Sequence, residues 1–260
     1  MLTELPTALL GLLLISLAML LAVAGAILAH NRIPIELRES HTVPLSLING
    51  GLNVMFGVIV GFSAFLVLNK YQTAEQAVQN EAADVEDIYR HAEGFAEPER
   101  DQIQGLVASY ARVVVEEEWP LMKQGKTSPR ADDLADELRR NILTYRPTTS
   151  AQQSVYAHLL GEVDELHESR AARVIYVSQR IPSLLWVALG GLSIIMVAFS
   201  YLVGMENRRL HLLAVAALAG GIVLVLFMVG ELDRPFGAEP RVEPEPFELV
   251  LREIEGNGGR

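Results

Sequence analysis

The 260-residue chain contains no cysteine, so disulfide staples, thiolate metal sites and cysteine nucleophiles are all excluded. It also lacks the glycine-rich phosphate loops, the HExxH pair and the nucleophile-elbow serine that mark common enzyme classes. Basic residues are in deficit: 21 Lys and Arg stand against 32 Asp and Glu, a net charge of −11. The surplus falls on residues 70–180 and 231–260, and an acidic exterior argues against nucleic acid as a partner. Nothing basic precedes the first apolar run, and that run is longer than the roughly 7 to 15 residues of a signal-peptide core. Ala22, Ala24 and Ala26 imitate a cleavage site, so a signal peptide stands as the alternative to a first membrane span.

What is present is apolar residues in blocks. Half of the chain is hydrophobic, and four runs, Pro6 to Ala29, Val43 to Asn69, Ile181 to Gly204 and Leu210 to Gly230, each exceed the ~20 residues that cross a hydrocarbon layer as a helix. No ionisable residue lies deep within them, which leaves a membrane-embedded enzyme without a catalytic group there. The expected class is all-α: an integral membrane protein with spans in segments 1–69 and 181–230. Residues 70–180 are expected to form an extramembrane helical bundle, and 231–260 an acidic, proline-rich C-terminal segment. No enzyme activity, cofactor or metal is expected.

The bundle segment reads as helix throughout. Ala74, Val78, Ala82, Val85 and Ile88 continue span two at helical spacing until "GFAEPER" breaks the pattern. A second helix carries Ile103, Leu106, Val107, Tyr110 and Val114 on one face. In a third, Ser128 is placed to cap, Pro129 fits the first turn, and Leu134, Leu138 and Ile142 recur at i, i+4 and i+8. A fourth runs from Thr149 toward Pro182. The acidic runs at Glu116 to Glu118 and at Asp132, Asp133, Asp136 and Glu137 read as solvated faces. His158 and His167, with Asp164 and Glu168 nearby, match no metal spacing.

Span two is the unusual element. At about 100° per residue, Ser46, Asn49, Gly50, Asn53, Gly57, Val60, Gly61, Ala64 and Leu68 gather within about 60° of one line, opposite Ile48, Leu52, Met55, Ile59, Phe62 and Leu66. Gly51 falls on the bulky side. A small, amide-bearing face has two readings. It packs closely against another helix, with interhelical amide hydrogen bonds worth ~0.6 to 2 kcal/mol, or Asn49 and Asn53 face a water-filled path in an oligomer. The packing reading also fits Gly190 and Gly191 in span three, and the pairs Ala216/Gly220 and Ala217/Gly221 in span four.

Two stretches carry a family resemblance. "PLSLINGGLNVMFGVIVGFSAFLVLNKYQTAEQA" resembles the second transmembrane helix of bacterial bestrophins in its Pro-x-Ser-Leu start, its Gly61-Phe62 pair, and Tyr71 and Ala74 beyond. "GELDRPFGAEPRVEPEPFELVLREIE" is similar to the acidic-Pro-Phe-Gly segment after the last bestrophin membrane helix, matched by Glu231, Asp233, Pro235, Phe236 and Gly237, with Arg234 among them. Together with "EAADVEDIYR" and "YARVVVEEEWP", the "LDRPF…PEPFELVL" combination also resembles a bacterial bestrophin-like family of unknown function along nearly the whole chain.

Bestrophins are pentameric anion channels in which the second helix lines a narrow neck and the inter-span helices form a cytoplasmic vestibule. The resemblance therefore implies a pentamer around span two in a bacterial inner membrane, with residues 70–180 and both termini cytoplasmic. Charge counting on the loops leaves that orientation open, and the first helix favours an outside N-terminus. The expected function is passive ion conduction, anions favoured, with Ser46, Asn49, Asn53, Gly57 and Gly61 on the path and Phe62 or Phe65 as a constriction if the helix is locally irregular. The calcium clasp of animal bestrophins is not recognisable, although Glu231 and Asp233 fall near its last part. Partners are then the bilayer, further copies of the chain and small ions. The alternative is a sensor or scaffold whose bundle binds a partner.

Overall fold

The computed structural model describes residues 7–32, 42–205, 207–237 and 241–257. In chain order the helices are α1 Thr7–Arg32, α2 Thr42–His91, α3 Glu99–Val113, α4 Trp119–Met122, α5 Pro129–Thr144, α6 Ser150–Ser178, α7 Ser183–Leu202, α8 Arg208–Leu232 and α9 Glu245–Asn257. A 3-10 turn, Ala92–Gly94, follows α2, and a π-helical turn, Val114–Glu118, joins α3 to α4. The described residues contain no strand, so the protein is all-α. Four helical stretches are long and apolar enough to cross a membrane. The chain divides into two compact units, Met1–Leu68 with Ile181–Asp233, and Asn69–Arg180 with Arg234–Arg260. The division falls within α2.

In the first unit, α1 lies along α8 because small residues let the two backbones approach. A β-carbon added at Gly11 would sit 2.8 Å from the Phe227 ring, and one at Gly220 only 3.1 Å from Met19 Cγ. Ala22, Ala26, Val215 and Ala219 fill the seam, with Val197 and Tyr201 of α7 beside them. The Ala216/Gly220 pair belongs to this contact, whereas added β-carbons at Gly190, Gly191 and Gly221 would meet nothing within 4 Å. Buried hydroxyls turn back on their own helices: Ser63 donates to Ile59 O at 2.8 Å, and Ser193 to Leu189 O at 2.6 Å. Neither hydroxyl then needs a partner from another helix. Asn207 caps α8 by accepting from the Arg209 and Leu210 amides. Outward lie Leu12, Leu13, Leu17 and Leu20 of α1, Leu184, Val187 and Ile194 of α7, and Leu213 of α8. That is an acyl-chain surface, and the protein is a multi-pass membrane protein.

The second unit buries the helical stripes expected of it. Val78, Val85 and Ile88 of α2 meet Ile103, Val107 and Tyr110 of α3, Leu138 and Ile142 of α5, and Leu159, Val163 and Leu166 of α6. Leu106 and Leu134 are only partly buried. Thr149 and Gln152 form a reciprocal capping box at the start of α6. That helix stops at Ser178 rather than running to Pro182, since the residue before a proline is pushed out of helical geometry and Gln179 already turns extended. The proline-rich tail returns to this unit. Pro235 O accepts from the Val242 amide at 2.7 Å, and α9 buries Phe247, Val250 and Ile254 against the bundle. Arg90 and Arg112 reach Glu253 and Glu255 at 2.8 and 3.0 Å. Pro6, at the start of the first apolar run, and residues 238–240 of the quoted tail lie outside those described.

Candidate functional site

Two arrangements stand out, one in each unit. In the first, α2 uses only one side to hold on to its own chain. Phe56, with Leu52, Ile59 and Val60, packs against Leu189, Met196 and Ile222, and Ser63 and Val67 are fully buried. The neighbouring side is the small, polar one, and within the chain it is left open. Ser46, Gly50, Asn53, Gly57 and Gly61 are exposed, and β-carbons added at Gly50, Gly57 and Gly61 would meet nothing within 4 Å. Asn49 sits at the border between the two sides, and its Oδ1 is buried with no hydrogen-bond partner among the described residues. No Asp, Glu, Lys or Arg occurs on α2 before Lys70.

Gly51 is also open, and α2 is regular helix through it. Helix likewise continues unbroken past Gly61, so the irregularity that would turn Phe62 inward is absent. Phe62 and Phe65 are 56% and 59% exposed. On a regular helix Phe62 stands about 160° and Phe65 about 100° from the centre line of the small face.

The second arrangement was missed by the sequence reading: a buried ion-pair network. Arg173 of α6 is fully buried and donates through Nε to Glu81 Oε2 at 2.5 Å and through Nη2 to Glu81 Oε1 at 2.8 Å and Glu118 Oε2 at 2.7 Å. Arg170, one turn earlier, forks onto Glu118 at 2.8 and 2.9 Å and onto Asp132 Oδ1 at 2.7 and 3.0 Å. The Tyr110 hydroxyl donates to Glu81, and Ser128 N donates to Glu118 Oε1 at 3.1 Å. The Trp119 and Phe247 rings lie 5.7 and 5.9 Å from the Arg173 guanidinium carbon.

Burial alone pushes the Glu118 carboxyl up, but the two guanidinium groups outweigh it and hold the pKa at about 2. Both arginines are held more firmly charged by their carboxylates, against the opposing effect of burial. Asp84, on α2 nearby, goes the other way. Burial, then the charges of Glu165, Glu81 and Asp87, lift it to about 6 despite a hydrogen bond from Ser169.

Glu118 therefore corrects the reading of Glu116 to Glu118 as a solvated run. Glu118 closes the π-helical turn and is fully buried there, where both guanidinium groups reach it. Asp132, 60% exposed at its side chain, still pairs with Arg170. Ser128 precedes Pro129 at the start of α5 but makes no cap: its hydroxyl donates to Glu117 at 2.7 Å. His158 and His167 are not brought together. His167 Nδ1 lies 2.8 Å from Val163 O and its Nε2 lies 3.6 Å from Asp136, while His158 lies with His91 and Glu162.

In the tail motif, Asp233 is buried and accepts from the Ile181 amide at 3.1 and 3.3 Å, and Glu231 is half-buried. Arg234 is exposed, whereas Pro235 and Phe236 are buried, Phe236 with its ring 5.8 Å from Trp119. A family model described as a bestrophin-like domain matches residues 16–247, from α1 into α9. The chain belongs to the bestrophin-like family.

Solved structures agree on the fold. A bacterial bestrophin homolog from Klebsiella pneumoniae, solved by zinc phasing, matches with a TM-score of 0.69 at 14% identity over 95% of this chain and 99% of that one. Two single-site variants of a bacterial bestrophin homolog from the same organism match at 0.71 and 0.65, with 14% and 15% identity, covering 95% and 94% of this chain and 99% and 98% of theirs. No curated protein sequence matches. In this bestrophin-like chain Asp233 accepts from the Ile181 amide within the first unit, and Phe236 packs beside Trp119 within the second.

Proposed function

We propose that the protein is a subunit of an oligomeric ion channel of bestrophin type, passive in mechanism, with the small polar face of α2 lining the shared axis. The observation that carries the reading is the open stripe: Asn53 and several glycines face away from the chain's own core, with Asn49 at the border, while the adjoining side of the same helix is packed. Amides turned to lipid would lose their hydrogen bonds, whereas water at an axis supplies them. Membership of the bestrophin-like family supports the same conclusion, and the resemblance of α2 to the second bestrophin helix makes five copies the expected number.

Anions are the favoured ions. Cation pores commonly carry rings of Asp or Glu, and the stripe has none: it offers hydroxyl and amide N–H donors at Ser46, Asn49 and Asn53. Gly57 and Gly61 keep the path wide, Phe65 flanks it, and Phe62 faces away. The bundle and both termini are cytoplasmic in this reading, and the membrane is the inner one.

Recording from purified protein in planar bilayers tests the proposal. It predicts currents whose reversal potential follows the anion gradient, and a unitary current reduced severalfold by Asn53→Leu with the assembly's elution volume unchanged. Silence under every ion gradient, or currents indifferent to Asn53→Leu, would overturn it.

A further inference from the structure

The end of α2 and the middle of α6 bring together three side chains that the channel reading does not use. His91 Nδ1 lies 2.6 Å from Glu162 Oε1, and His158 Nε2 lies 3.2 Å from the same oxygen. The two imidazole rings meet edge to face at 4.7 Å between centroids. One potential ligand atom from each residue falls within 4.8 Å of the other two. His158 and Glu162 share a face because they are one turn apart on α6, and His91 reaches them from the last residue of α2.

Glu162 is the informative member. It is only 8% exposed, and its Oε2 is buried with no hydrogen-bond partner among the described residues. A carboxylate half satisfied by two surface imidazoles, with its other oxygen unmatched, is poorly accounted for as an ordinary ion pair, because an unmet buried acceptor costs about 1–3 kcal/mol. Burial pushes the pKa of this carboxyl up, and the two histidines oppose that rise. Asp87, one turn before His91, adds negative charge close enough to act on Glu162.

We propose that His91, His158 and Glu162 form a binding site for a divalent transition-metal ion of the zinc class, with water as the fourth ligand. Bonds of about 2.0–2.2 Å in a tetrahedral site put ligand atoms roughly 3.3 Å apart, which small side-chain rotations reach from the observed spacing. Two imidazole nitrogens and one carboxylate suit zinc and its neighbours and disfavour magnesium and calcium, which take oxygen ligands. On binding, the ion takes the place of the imidazole–Glu162 contacts, ligated by the unprotonated nitrogen of each ring. It thereby cross-links the end of α2 to α6. His91 and His158 are surface residues, so the site can load without opening the bundle, and it stands or falls independently of ion conduction.

The test uses the full-length protein in detergent, with its affinity tag removed and stripped of metal by a chelator. Zinc is titrated in competition with a chromophoric chelator, and bound zinc is examined by X-ray absorption at its K edge. The expected result is one ion per chain with a nitrogen- and oxygen-only shell, undisturbed by millimolar magnesium. His91→Ala and His158→Ala should each weaken binding by at least about tenfold, and the double variant should lose both the site and the zinc-dependent rise in melting temperature. Circular dichroism of the metal-free variants confirms folding. No stoichiometric uptake, or equal uptake by the wild type and the double variant, meaning an adventitious ion only, would overturn the assignment.

Discussion

At the scale of single residues, the second unit depends on charges held out of water. Arg173 and Glu81 are both fully buried, and removing one partner of such a pair costs about 3–5 kcal/mol because the other is left unmatched. Arg173→Met should therefore lower the unit's stability by about that amount in chemical denaturation. Adding Glu81→Gln should restore part of the loss, since the stranded carboxylate is then neutral. The same groups set an acid limit. Glu118 has a folded pKa of about 2 against an ordinary 4.5, so its contribution is complete above about pH 4.5 and is lost as pH falls through about 2. Asp84, lifted to about 6, acts in the opposite sense: its unfavourable charge is relieved as pH falls below that value. These residues were legible in principle. Glu81 falls in the same inward helical series as Val78, Val85 and Ile88, and Arg170 and Arg173 continue the series Leu159, Val163, Leu166. A search for apolar periodicity passes over charged members of such a series. Glu118 likewise falls four residues after Val114 and eight after Tyr110, at the end of the inward series of α3.

At the scale of elements, helices, breaks and stripes were written plainly in hydrophobic period and turn residues, and the tail was written as a motif with a strap behind it. What the sequence did not display was which side of α2 grips the chain. The packed side is centred on Phe56 and Ser63 between the small and the bulky faces, and it takes Leu52 and Ile59 from the bulky face and Val60 from the small one, so size alone could not pick it out. Nor could it show that Ser128 would give its hydroxyl to Glu117, a choice made by the chain segment that folds over it. The α9 strap offers a direct check on element packing. Phe247 is fully buried beside Trp119 and Arg173, and Phe247→Ala should destabilise the unit by about 3–5 kcal/mol. Leu249→Ala, at a position 53% exposed on the same helix, should change stability by less than about 0.5 kcal/mol. Thermal or denaturant unfolding followed by circular dichroism compares them, and equal effects would mean that α9 is not packed as described.

At the scale of the whole molecule, the family and the fold are shown, and the function rests on how several chains would share an axis. A single chain exposes apolar side chains over much of its membrane unit, as lipid requires, and among them one narrow run of amides, hydroxyl and glycines that lipid does not. The lack of cysteine makes this run directly testable. Single replacements, Ser46→Cys, Asn53→Cys, Gly57→Cys and Gly61→Cys along the stripe, and Leu47→Cys, Val54→Cys and Val58→Cys away from it, place one thiol at a time on a background with none. The measurement is the rate at which a membrane-impermeant, water-soluble thiol reagent modifies each variant in reconstituted vesicles, read by mass spectrometry so that it does not depend on current. The account predicts fast modification at 46, 53, 57 and 61 and protection at 47, 54 and 58. Protection of the stripe, or reactivity without helical period, would contradict it.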